Sequence, residues 1–254
     1  MRHRNSLRAS LVPGFSLLEL LLVVAIIALL ASLILPALAT AHGQGLRIAC
    51  QNHLKQLGAC VQMYAADSGG RLPDNNPGNT NTWVSGNMLI AKEATNQVLI
   101  QQGKLFPYAS QVGIYHCPAD PSRVAGWPRI RSYSMNGWVG SRFMETYGRS
   151  IGFRTFLRDN ELAVAGPAGI WLLIDEHEAS INDAWFLVTM DDSRPFASFP
   201  AQRHQQGYGL GFGDGHVESA NLRDPESLRL GQGDGQVRAA NIDWIRLKQI
   251  TTVR

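Results

Sequence analysis

The chain has 254 residues, 45% hydrophobic and 17% charged, with 23 Lys and Arg against 20 Asp and Glu. The surplus of positive charge lies in the first 14 residues, as Arg2, Arg4 and Arg8, and the rest of the chain balances at 20 against 20. The basic pI is therefore a property of the N-terminus, and charge gives no reason to expect a nucleic-acid partner.

Residues 1–14 form a short basic leader without an acid, followed by Gly14-Phe15-Ser16-Leu17-Leu18-Glu19 and an apolar run to Leu38. From Leu20 to Leu35 there is no charge, and Ser32 is the only polar side chain. About 22 residues from Leu17 make roughly 33 Å of helix, against a hydrocarbon core of about 30 Å. The arginines orient such a span with the leader in the cytoplasm. Glu19 needs a reason, because a charge inside the span costs on the order of 2.5–3.5 kcal/mol at its centre and less near the interface. Either Glu19 has a function or it snorkels to the headgroups. Two other uses of this segment compete: a secretory signal peptide, with Ala37-Leu38-Ala39 as its cleavage site, and a plain signal anchor. The apolar run is too long for the first, and the second leaves Gly14-Phe15 and Glu19 unexplained.

Beyond Pro36 the pattern predicts that the helix continues. Cys50, Leu54, Leu57, Val61 and Tyr64 follow 4-3-4-3 spacing and form one apolar stripe. Gly43 and Gly45 are weak points, and Asp67-Ser68-Gly69-Gly70 with Pro73 supplies the stop. The stripe suits packing onto a head domain, and its two heptads are short for a coiled coil.

From Gly69 onward the chain is rich in turn residues, and its apolar runs are short: Ile170 to Ile174, Trp185 to Met190 and Tyr208 to Phe212. These predict an antiparallel sheet in a head of about 185 residues, enough for one core. Asp74 to Thr82 reads as a surface loop, with Trp83 exposed beside it as a contact residue. Trp127, Trp138, Trp171 and Trp185 read as core. Asp214-Gly215 signals a tight hairpin with positive φ at both central positions.

The segment Gly14 to Glu19, with Pro36 at the twenty-second position counted from Phe15, resembles the N-terminus of type IV prepilins and type II secretion pseudopilins. His204, nine residues, then Asp214-Gly215 resembles the H-x(9)-D-G signature of a pilin-like set best known from Planctomycetes and Verrucomicrobia. Cys50 to Gly58, Tyr64 to Pro73, Cys117 to Asp120, Ser132 to Asn136 and Asp175-Glu176 are further points of similarity, whereas Asn221 to Arg254 matches little. The resemblance implies an α+β, pilin-like fold: a cleaved leader (1–14), an N-terminal helix (15–67) and a periplasmic head (68–254). It implies cleavage after Gly14 by the inner-membrane prepilin peptidase and N-methylation of Phe15. Glu19 would neutralise the new ammonium, most usefully that of a neighbouring subunit, with Pro36 also serving assembly. The expected function is that of a structural subunit of a type II secretion pseudopilus or a pilus-like filament, with other pilin subunits as partners. The alternative is an anchored binding or sensory module that does not polymerise.

No catalytic motif such as H-E-x-x-H, G-x-S-x-G or a P-loop is present, so an enzyme is not expected. Asp175, Glu176 and Asp214 offer oxygen donors for calcium, which some major pseudopilins bind in their heads; the competing reading makes them structural. His204 could simply hydrogen-bond the hairpin backbone. Cys50 and Cys60 stand about 280° apart around a helix and cannot pair with each other. One of them could bridge to Cys117, with Cys50 better placed on the stripe, or all three stay reduced and buried.

Overall fold

The computed structural model describes residues 16–166, 169–191, 196–231 and 237–254. Helix α1, Leu17–Asp67, contributes to both of the units into which the chain divides, one ending at Gly43 and the other running from Gln44 to Arg254. In the first unit every large apolar side chain from Leu17 to Leu38 is exposed. Among the described residues, this is the one helix long and apolar enough to cross a membrane. Pro36 lies inside the helix, and Gly43 and Gly45 do not interrupt it.

In the second unit α1 has the predicted stripe. Cys50, Leu54, Leu57 and Val61 are buried and Tyr64 is half-buried, joined by Cys60 and Ala65. Each large aliphatic side chain so buried contributes roughly 1.5–3 kcal/mol. The helix ends as the sequence predicts. Gly69 and Gly70 take φ of 64° and 81°, and the Gly70 amide bonds back to the Ala65 carbonyl at 2.7 Å.

The stripe lies on a five-stranded sheet built from β3 (Tyr133–Asn136), β4 (Trp171–Asp175), β5 (Trp185–Phe186), β6 (Gly207–Phe212) and β7 (Val217–Asn221), in the order β5-β3-β4-β6-β7. The sheet is antiparallel except for β3 and β5, which pair in parallel, a departure from the all-antiparallel expectation. Strand β6 reads Gly-Tyr-Gly-Leu-Gly-Phe. Tyr208, Leu210 and Phe212 fill the core behind the sheet, while Gly209 and Gly211 face α1. A Cβ on Gly209 would lie 2.4 Å from Leu54 Cδ1, so the helix settles onto the strand only because that face has no side chains. A bulge in β4 between Trp171 and Leu173 shifts its alternation. Leu172 and Leu173 therefore join the core under α1, and Trp171 and Ile174 join the other.

Helix α2 (Arg142–Ile151) begins at Ser141, whose Oγ accepts from the Met144 amide. The C-terminal stretch left unassigned by the sequence contains α3 (Ile242–Gln249), which buries Trp244 and Leu247 in the rear core. Two tryptophan expectations are corrected. Trp83 has no exposed surface: it stacks on Tyr115 at 6.1 Å and donates to the Ala184 carbonyl. Trp127 is 69% exposed, because it stands on a separate hairpin formed by β1 (Arg123–Val124) and β2 (Trp127–Pro128) and not on the main sheet. Trp138 and Trp171 are core as expected, and Trp185 is half-buried.

Candidate functional site

Four side chains from four separate segments meet under the helix. Cys50 comes from the buried face of α1 and Asp175 from the last position of β4. Cys117 opens a turn after the 3-10 helix Val112–Tyr115, held by its amide to Ser132 Oγ at 3.1 Å and by Asp120 N to its carbonyl at 2.9 Å. His204 stands just ahead of β6. Gln205 and Gln206 follow it with φ of 59° and 64°, a left-handed pair unusual for non-glycine residues, which turns the chain from a buried imidazole into the strand.

Cys50 Sγ, Cys117 Sγ, an Asp175 carboxylate oxygen and a His204 ring nitrogen all lie within 4.8 Å of one another, and all four residues are buried. Cys117 Sγ is 3.3 Å from His204 Nε2, and Asp175 Oδ2 is 3.9 Å from both Cys50 Sγ and His204 Nε2. Among the described residues this is the one place where three or more such donors converge.

Around them is a polar shell. The Tyr133 hydroxyl donates to Cys50 Sγ at 3.2 Å. Arg203, 6% exposed in its side chain, donates to Asp175 Oδ1, reaches Asp120 Oδ2 at 3.0 Å and Glu178 Oε2 at 3.2 Å. Ser132 Oγ donates to Asp120 at 2.6 Å. Burial pushes the Asp175 carboxyl up to about 7 despite Arg203. Asp120 is also buried, yet Arg203 and hydrogen bonds from Ser132 and Ser122 hold it below its ordinary value. A hydrogen bond to Cys50 together with burial drives the Cys117 thiol far above its ordinary range. Burial, aided by Arg203 and Arg47, pulls the His204 imidazole down to about 4. In the protein alone the Cys117 thiol and the His204 imidazole are thus kept neutral.

The remaining predicted residues lie elsewhere. Asp175 and Glu176 are successive residues of an extended segment and point opposite ways: Glu176 is buried against Ser180 Oγ at 2.8 Å. Asp214 is at the tip of the β6–β7 hairpin, where its carboxylate bonds His216. Asp175, Glu176 and Asp214 are therefore not brought together as a calcium cage. The hairpin is present, but its loop ends in a single left-handed residue, Gly215 (φ 89°), in place of two. A Cβ on that glycine would lie 3.2 Å from Gln62 Nε2 of α1, which donates to the Gly213 carbonyl at 3.3 Å, so the hairpin tip sits against the helix. Within the H-x(9)-D-G pattern only His204 enters the cluster. Cys50 and Cys117 face each other, but no disulfide links them, and all three thiols are free and buried.

At the other end of the chain Gly14 and Phe15 lie outside the described residues, and Pro36 is an exposed helix position. Glu19 forms a capping box: its Oε2 accepts from the Ser16 amide at 2.9 Å, and its own amide donates to Ser16 Oγ at 3.2 Å. The Ser-x-x-Glu spacing ahead of an apolar run carries that signal in the sequence, and the reading of Glu19 as an intramembrane charge passed over it. Arg203, Asp120 and Tyr133 were missed for another reason, since burial of an arginine or a tyrosine hydroxyl has no local sequence signature.

Comparison with known protein families, with curated proteins and with solved structures finds no match.

Proposed function

We propose that the chain is a pilin-like structural subunit of a type II secretion pseudopilus or type IV pilus-like filament. In this reading prepilin peptidase cuts after Gly14, and the protein waits in the inner membrane as a single-pass subunit with a periplasmic head before entering the filament. The observation that carries it is the division of labour along α1: among the described residues the large apolar side chains of 17–38 are all exposed, while residues 50–65 bury one stripe on the head's own sheet. The first half is left for lipid or for other helices.

Moving such a helix from lipid into a filament core exchanges one apolar surrounding for another, so the gain comes from packing and from polar pairing rather than from the hydrophobic effect. Glu19 supplies the polar pairing. Its carboxylate already turns back to the Ser16 amide, at the helix end where cleavage would create an ammonium. In an assembled filament that carboxylate would take the ammonium of the adjacent subunit, and two opposite charges in low dielectric offset a desolvation neither could bear alone. The pair would fix axial register between subunits.

The test is Glu19→Val. The variant should insert in the membrane at normal level yet be missing from sheared filaments; an anchored module that does not polymerise would behave like the unsubstituted protein. Intact mass gives an independent check: mature protein should begin at a methylated Phe15, and a chain still carrying Met1 to Gly14 would overturn the prepilin reading.

A further inference from the structure

We propose that Cys50, Cys117, Asp175 and His204 form a closed, four-ligand site for one divalent metal ion of the zinc class, which ties α1 to the head. The inference is independent of whether the chain polymerises. Two thiolates, one imidazole and one carboxylate are a tetrahedral zinc donor set, with zinc bonds of about 2.3 Å to sulfur and about 2.0–2.2 Å to nitrogen and oxygen. At the tetrahedral angle those bonds place neighbouring donors roughly 3.4–3.8 Å apart. The donor atoms here stand at 3.3 and 3.9 Å where individual pairs are measured, and within 4.8 Å throughout. Only a small contraction is needed to close on an ion.

The outer contacts suit the same role. Asp175 turns Oδ2 toward the sulfurs and the imidazole while Oδ1 is held by Arg203, which leaves one oxygen for a metal and fixes its direction. Tyr133 donates to Cys50 Sγ, a contact that a metal-bound thiolate accepts readily. Two sulfur ligands argue against calcium and magnesium, which take oxygen, and a carboxylate beside them argues for zinc over copper(I). Four protein ligands, all buried, leave no open coordination position, so the ion would be structural and not catalytic. It would connect α1, the turn at Cys117, the end of β4 and the entrance to β6, with Cys50 and Asp175 125 residues apart in sequence and Cys117 and His204 87 apart.

The full chain, purified reduced in detergent micelles, loaded with ZnCl2 and dialysed against metal-free buffer, should retain one equivalent of zinc by elemental analysis. Cys50→Ser and Cys117→Ser should each lose it. Cys60→Ser, which alters a buried thiol outside the cluster, should keep it. Because a serine variant at a buried position can misfold, cobalt(II) provides a second measurement on folded protein. The unsubstituted chain should bind cobalt with tetrahedral ligand-field bands and a thiolate-to-cobalt charge-transfer band. His204→Cys should still bind one equivalent, with that band about 1.5-fold stronger, three thiolates replacing two. The proposal is overturned if the reduced chain retains no zinc, if both serine variants retain it, or if protein taken from its membrane carries a Cys50–Cys117 disulfide.

Discussion

The two halves of α1 share one backbone geometry and differ in what their side chains require. From Leu20 to Leu38 the helix is apolar on all sides and every large apolar side chain is exposed. From Cys50 to Ala65 apolar residues occupy one stripe, and the sheet covers it. Helix formation is thus common to both, and the period of the apolar residues decides the partner. A stripe needs one surface, which the chain supplies itself. A helix that is apolar all round needs lipid or several other helices. The sheet also has to be prepared for its partner, as the glycines of β6 show: Gly209 gives the room that Leu54 occupies.

Matched deletions in the two halves should separate them most clearly. Leu54→Ala removes a fully buried side chain from the core under α1 and should destabilise the head by about 2–5 kcal/mol in chemical unfolding followed by tryptophan fluorescence. Gly209→Ala attacks the same contact from the sheet side. Its Cβ would come within 2.4 Å of a Leu54 methyl that is itself fully packed, so a loss of about 1–3 kcal/mol is expected by the same measurement. Tyr133→Phe keeps the packing and removes the hydroxyl that donates to Cys50, so it should weaken zinc retention about 10–100-fold in competition with a chelating dye. Ile27→Ala, in the exposed half, should leave head unfolding within about 0.5 kcal/mol of the unsubstituted chain. An Ile27 effect as large as that of Leu54 would mean that the two halves are not distinct in the way described.

Local chemistry made several elements readable in advance. The 4-3-4-3 stripe, the Asp67 to Gly70 stop and the Asp214-Gly215 hairpin each depend on residues within a few positions of one another, and each is present. The strands from Ile170 and Tyr208 were visible as apolar runs. Trp185 to Met190 yielded only the two-residue β5, because it pairs in parallel at the edge of the sheet beside β3. Trp83 and Trp127 exchanged the places predicted for them because a loop residue can be folded inward and a hairpin can leave the sheet. Neither event is written in the neighbouring residues.

What the sequence by itself determined is the order of parts: a basic N-terminal stretch, an apolar helix segment, a striped helix segment and a turn-rich remainder. Those follow from charge and periodicity, which act over a few turns of chain. It also singled out Cys50, Cys117, Asp175 and His204, but under three different headings: a disulfide, an acidic set for calcium and a hairpin histidine. Only the tertiary structure united them, because their separation along the chain is spanned by the docking of α1 and the register of β4 beside β6. The same holds for Arg203, whose buried carboxylate partners come from Asp120 and Asp175, and for α3, which closes the rear core from a stretch without a pattern of its own. Donor pairs such as Cys117–His204 and Cys50–Asp175, a few ångströms apart but 87 and 125 residues apart in sequence, are brought together by packing, and no local rule of sequence encodes that distance.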